Sequence, residues 1–66
     1  MSAPVEHKRR FLAAIRGERL DIGDAARRAG LRFCEAAEVW AEGVAAGRLR
    51  MSDDIPGFRH VAEVTQ

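Results

Sequence analysis

The chain has a single cysteine, Cys34, so an internal disulfide is excluded. With His7 and His60 it makes too few and too scattered a set for a four-ligand zinc site, and neither a metal nor a cofactor is expected. No window approaches the roughly 18 apolar residues of a membrane span, and no uninterrupted apolar run follows the N-terminus as in a signal peptide. No membrane partner is expected, and a cytoplasmic location is, which suits the unpaired thiol. Catalytic signatures are missing as well. There is no glycine-rich phosphate loop, no HExxH and no carboxylate pair that can be placed in a cleft. Cys34 lacks a histidine or acid at a spacing that guarantees proximity, and a nucleophile needs such a base. It reads as a small packing residue on the flank of an apolar stripe. His7 and His60 read as surface histidines without a role, and no enzymatic activity is expected.

Sixty-six residues make one domain, 1–66. A chain this short buries only about 60% of its unfolded surface, so its stability must come from its core or from self-association. A 47% hydrophobic and 32% charged composition still fits a globular protein and excludes a disordered one. The net charge of +1 hides an asymmetry. Residues 1–32 hold eight Lys/Arg against four Asp/Glu, and residues 33–66 hold three against six. Ten of the eleven basic residues are arginine. Guanidinium suits phosphate or carboxylate recognition, although a GC-rich genome also enriches arginine and alanine.

Hydrophobic spacing predicts three helices, over about 4–16, 22–29 and 32–46. Ser2 is the expected cap of the first, with Pro4 in its first turn. Val5, Phe11, Leu12 and Ile15 share a face, and Gly17 is a fitting stop. Asp21 is the expected cap of the second helix, in a capping-box-like pair with Asp24. Ile22, Ala25, Ala26 and Ala29 line one side of it, and Gly30 ends it in a left-handed conformation. In the third helix Phe33, Ala36, Ala37, Trp40 and Val44 form an apolar stripe. Glu35, Glu38 and Glu42 lie opposite that stripe, where they are expected to be the most exposed part of the helix. Gly47 closes it. Residues 48–64 read as a hairpin. Arg48 to Met51 alternates polar and apolar, and Pro56-Gly57 favours a type II turn. Phe58, Val61 and Ala62 also fit helical spacing, so a helix is the alternative for 58–64. The expected core is Phe11, Leu12, Ile15, Ile22, Ala26, Leu31, Phe33, Ala36, Trp40, Val44, Leu49, Met51 and Phe58. On this reading Trp40→Ala costs about 3–5 kcal/mol.

The fragment LDIGDAARRAGL, with Asp21, Ile22, Ala25-Ala26, Gly30 and Leu31 in the characteristic places, resembles the first helix and turn of a helix-turn-helix. The exit Gly47-Arg48-Leu49 resembles the junction leading into a wing. Together they resemble a winged helix-turn-helix domain of a small prokaryotic or phage-type regulator, over nearly the whole chain but through a degenerate motif. HKRRFLAAI…AARRAGL is also similar to helix-turn-helix domains of phage terminase small subunits, without their Ser/Thr-rich turn. The resemblance implies a mainly α fold with a small β-hairpin and a one- or two-residue strand near Arg19-Leu20-Asp21. It also implies double-stranded DNA as partner, with Arg32, Glu35, Glu38 and Glu42 facing the groove. Three glutamates there would repel phosphates. The expected DNA contacts are therefore Arg27, Arg28, Arg32, Arg48, Arg50 and Arg59, which would give salt-dependent binding with little sequence readout. Pairing of these arginines with surface carboxylates is the bland alternative. A homodimer is compatible with the resemblance. The rival function is a protein-interaction adapter with an unknown protein partner, docking through Glu35, Glu38 and Glu42 without nucleic acid.

Overall fold

In the computed structural model, which describes residues 3–64, the first helix, α1 (Val5–Ile15), starts after Pro4. Pro4 has no N–H to leave unpaired, and its carbonyl accepts from Lys8 N–H at 3.1 Å. The expected cap Ser2 lies outside the described residues. The second helix, α2 (Ile22–Ala29), is capped by Asp21, whose Oδ1 accepts the Asp24 N–H at 2.8 Å. Asp24 does not complete a capping box; its carboxylate takes Arg27.

Gly30 sits at φ 71, where its own N–H reaches Arg27 O and the next reaches Ala26 O. These are the two bonds of a Schellman turn, and a Cβ would be strained there. The third helix, α3 (Phe33–Ala45), ends in the same device. Gly47 N–H reaches Val44 O and Arg48 N–H reaches Gly43 O. At its start Glu35 accepts the Arg32 N–H at 2.8 Å. That is half of a capping box, since an arginine side chain has no acceptor to supply the other half.

Strands β1 (Leu49–Ile55) and β2 (Phe58–Glu63) pair antiparallel, with Leu49 opposite Glu63, Met51 opposite Val61 and Ser52 opposite His60. Residues 58–63 are therefore strand, and the helical alternative is set aside. Pro56-Gly57 makes the turn, with Gly57 at φ 79 as the third position of a type II turn requires. The register slips between Ser52 and Ile55, so Asp53 and Asp54 together oppose Arg59 alone. This extra residue is a β-bulge. Val61 N–H also donates to Leu20 O at 2.8 Å, which lays the α1–α2 connector along β2. That single bond stands where the short extra strand is expected.

The fold is thus mainly α with a small hairpin, and its arrangement is compatible with a winged-helix shape. No helix of the described residues is long and apolar enough to cross a membrane. One core joins all five elements through Phe11, Ile15, Ala25, Leu31, Val39 and Val61, together with Ala26, Ala36 and Leu49. Leu12, Ile22, Met51 and Trp40 are half-buried against it, and Phe58 is half-buried.

The rotation of α3 differs from the expected one. Phe33 is 62% exposed and Val44 45%, while Val39, absent from the expected stripe, is buried. Val5 of α1 is exposed as well. The buried face of α3 runs through Ala36, Val39 and Gly43, roughly 80° around the helix from the expected stripe. Small side chains set this choice. A Cβ built on Gly43 would lie 2.6 Å from Leu49 Cγ, so the missing side chain makes the room that Leu49 fills. Alanine usually stabilises a helix interior by about 0.8–1 kcal/mol relative to glycine. Here Gly43→Ala is expected to destabilise by about 1–3 kcal/mol through overpacking, measured by urea unfolding. A more stable variant would show that the seam has slack.

Candidate nucleic-acid interface

A cation is available to an anionic ligand when no carboxylate already holds it. Among the described residues Arg9 and Arg10 share Glu6, Arg16 takes Glu63 at 2.7 Å, and Arg19 approaches Asp54 at 3.8 Å. Arg27 takes Asp24, Arg28 takes Glu18 at 2.7 Å, and Arg32 stands 3.6 Å from Glu35. Lys8 pairs with Glu42. Among the described residues, the cations without an ion pair to another described residue are Arg48, Arg50 and Arg59, and all three are exposed on the hairpin or its first flanking residue. Strand alternation puts Arg48 and Arg50 on the side opposite buried Leu49, while Arg59 stands by the bulge near the turn.

The six arginines named from sequence thus fall into two groups. Arg48, Arg50 and Arg59 belong to the wing. Arg27, Arg28 and Arg32 belong to α2 and the turn after it, and each is engaged by a carboxylate. Arg28 also borders a shallow groove with Arg10, Ala13 and Ala14 of α1.

The wing is braced by groups that sequence reading passed over. His60 is buried, not a surface histidine, and its Nε2 lies 2.7 Å from Asp54 Oδ1. The Ser52 hydroxyl reaches the same oxygen at 3.1 Å. The bulge aims Asp54 at both, and Phe58 stacks on the His60 ring. The usable signal was the polar alternation of Ser52 and Asp54 facing a histidine across a short turn. Because Ser52 is bound to the acid and not to the imidazole, His60 is not placed to take its proton. The contacts brace the hairpin.

Hydrogen bonds from His60 and then Ser52 hold the Asp54 carboxyl below its ordinary value. Glu63 is lowered by Arg16, Glu35 by the Arg32 backbone N–H, and Glu6 by Arg9. A lowered carboxylate contributes stability that is full above its unfolded value and is lost as the pH falls through its folded one. Stability is therefore expected to decline once the pH drops below about 4. Asp54→Asn is expected to lower the melting temperature at neutral pH and to flatten part of that acid decline. A variant with an unchanged acid profile would remove the wing network from the cause.

The rotation of α3 relocates its acidic residues. Glu42 is half-buried, pairing with Lys8 and accepting the Ala3 N–H at 2.7 Å. Glu35 is half-buried beside Arg32 and 3.8 Å from His7 Nε2, so His7 has a partner. Only Glu38 of the three is exposed. Cys34 is exposed and does not pack, contrary to its expected place.

The outward face of α3 carries Phe33, Cys34, Glu38, Ala41, Val44 and Ala45. A crevice of about 70 Å³ lies beside its C-terminal end, between Leu12, Val39, Gly43 and Arg48. Among the described residues, no group of three or more His, Cys, Asp or Glu could hold a metal ion. No protein-family model, no curated protein and no solved structure matches the chain.

Proposed function

We propose that the protein binds double-stranded DNA as a small regulator of transcription, gripping the phosphate backbone through Arg48, Arg50 and Arg59. The observation that carries this reading is the segregation of the unpaired guanidiniums onto one hairpin, while seven other arginines are engaged by carboxylates. Guanidinium is the side chain best matched to phosphate, and an unpaired one gives up no partner on binding. Arg27, Arg28 and Arg32 are secondary contacts, since exposed ion pairs are weak enough to exchange for phosphate. Half-buried Glu35 stands beside Arg32 and His7, and half-buried Glu42 pairs with Lys8, so part of the like charge that would oppose a duplex at α3 is offset. Glu38 is the one exposed glutamate of the three that a protein adapter would use.

Fluorescence anisotropy of a labelled mixed-sequence duplex tests the proposal. Three phosphate contacts give a slope of about −2.7 in log affinity against log salt, a loss of about 40-fold between 50 and 200 mM. Absence of binding at the lower salt would overturn it.

A further inference from the structure

We propose that β1 pairs edge to edge with β1 of a second copy of the chain, antiparallel about Met51, joining two hairpins into one four-stranded sheet. The backbone leaves this edge open. Val61 donates its N–H to Leu20 O, away from β1, so Met51 and Val61 form a cross-strand pair of the kind that exchanges no backbone bonds. The N–H and C=O of Met51, and of Leu49 two residues earlier, therefore turn to the outer edge of β1. Among the described residues no backbone group from outside the hairpin bonds to either residue. Leu20 lies against the outer edge of β2, so β1 is the open side of the two-stranded sheet. A row of unpaired donors and acceptors is a template for another strand.

Charge selects the occupant. The strand and its leading residue begin basic, with Arg48 and Arg50, and turn acidic at Asp53 and Asp54, and all four side chains are exposed. Arg48, Arg50 and Asp53 have no ion pair to another described residue. An in-register parallel copy would set like charges side by side. An antiparallel copy centred on Met51 sets Arg48 opposite Asp54 and brings Arg50 within diagonal reach of the same acid. A two-fold axis repeats each contact, so the strand is complementary to itself, as an isologous interface requires. The bulge after Ser52 ends the regular edge, and the far edge of β2 is already taken, so the sheet closes at two copies. Arg48 and Arg50 are also the arginines assigned above to phosphate, so self-pairing and a duplex compete for β1.

Sedimentation equilibrium of the full chain without nucleic acid tests the pairing, and its outcome is independent of the DNA-binding reading. A dimer is expected at about 1 mM protein and low salt, weakening as salt is added. Arg48→Glu with Arg50→Glu makes the strand wholly acidic and is expected to weaken self-association by about tenfold or more. Both side chains are exposed, so this variant is expected to fold, which circular dichroism checks. Asp53→Lys makes the strand more basic and is expected to self-associate less than the parent. An equimolar mixture of the acidic and basic variants is expected to form a mixed dimer tighter than either variant forms alone. A monomeric parent at that concentration would overturn the inference. So would a dimer that both variants retain undiminished, which would move self-association to another face, with the exposed Phe33 of α3 as its centre.

Discussion

Phe11→Ala is expected to lower the melting temperature by tens of degrees and to leave much of the population unfolded at room temperature. Phe11 has no exposed surface and is one of the two largest fully buried side chains. Truncating such a residue costs about 3–5 kcal/mol, as transfer free energy and as the cavity left behind. A domain of this size has about 3–10 kcal/mol in all. One kilocalorie moves the midpoint by about 4–8 °C. Trp40→Ala is the informative comparison. The sequence reading put Trp40 in the core beside Phe11, at about 3–5 kcal/mol for its truncation, but it is only half-buried at the margin of the core, so its removal is expected to cost less than that of Phe11. Circular dichroism melts of the two variants rank them. A larger loss from Trp40→Ala would mean that α3 packs through its apolar stripe after all.

The boundaries of the helices were legible because they are set by local chemistry. Asp21 before a helical run and Gly30 and Gly47 after one act within a few residues, and they act where expected. The hairpin followed from Pro56-Gly57 and the alternation before it. The rotation of α3 was not legible, because periodicity finds the most apolar face and assumes that it is buried. Here the buried face includes Ala36 and, against Leu49, Gly43, which have little hydrophobicity to contribute to a stripe. What they contribute is space, and space registers only when the partner, Leu49, is in position. The same error exposed three glutamates on paper, although Lys8 and His7 of α1 draw two of them inward. The bulge hid the wing network in a similar way. One extra residue changes the facing of Asp54, and strict alternation cannot anticipate it. The wing arginines were named from sequence, but their distinction from the other seven lies in the absence of partners, which is a property of the fold.

That distinction makes Arg48 and Arg50 the pair whose charge reversal is expected to have the largest functional effect. Arg48→Glu with Arg50→Glu removes two of three proposed phosphate contacts and puts two repulsive charges in their place. Binding to a mixed-sequence duplex is expected to vanish at about 50 mM salt. Neither side chain makes an ion pair within the described residues, and both are exposed, so the melting temperature is expected to stay close to that of the parent. The neutral pair Arg48→Gln with Arg50→Gln measures the contacts directly, since each lost phosphate contact reduces the salt slope by about 0.9. A fall from about −2.7 to about −0.9 is the expected result. The matching control is Arg9→Gln with Arg16→Gln, which removes the same charge from arginines already held by Glu6 and Glu63 and outside the proposed interface. If both pairs reduce the slope equally, binding follows net charge and the wing has no special role. Glu38→Lys supplies the opposite sign on α3. It is expected to tighten binding and steepen the slope if α3 lies close to the duplex. Glu35→Lys would confound that test, because Glu35 also caps the helix through the Arg32 N–H. A wing pair that flattens the slope, a control pair that does not, and a Glu38 variant that steepens it would together place the duplex against the hairpin and the outward face of α3.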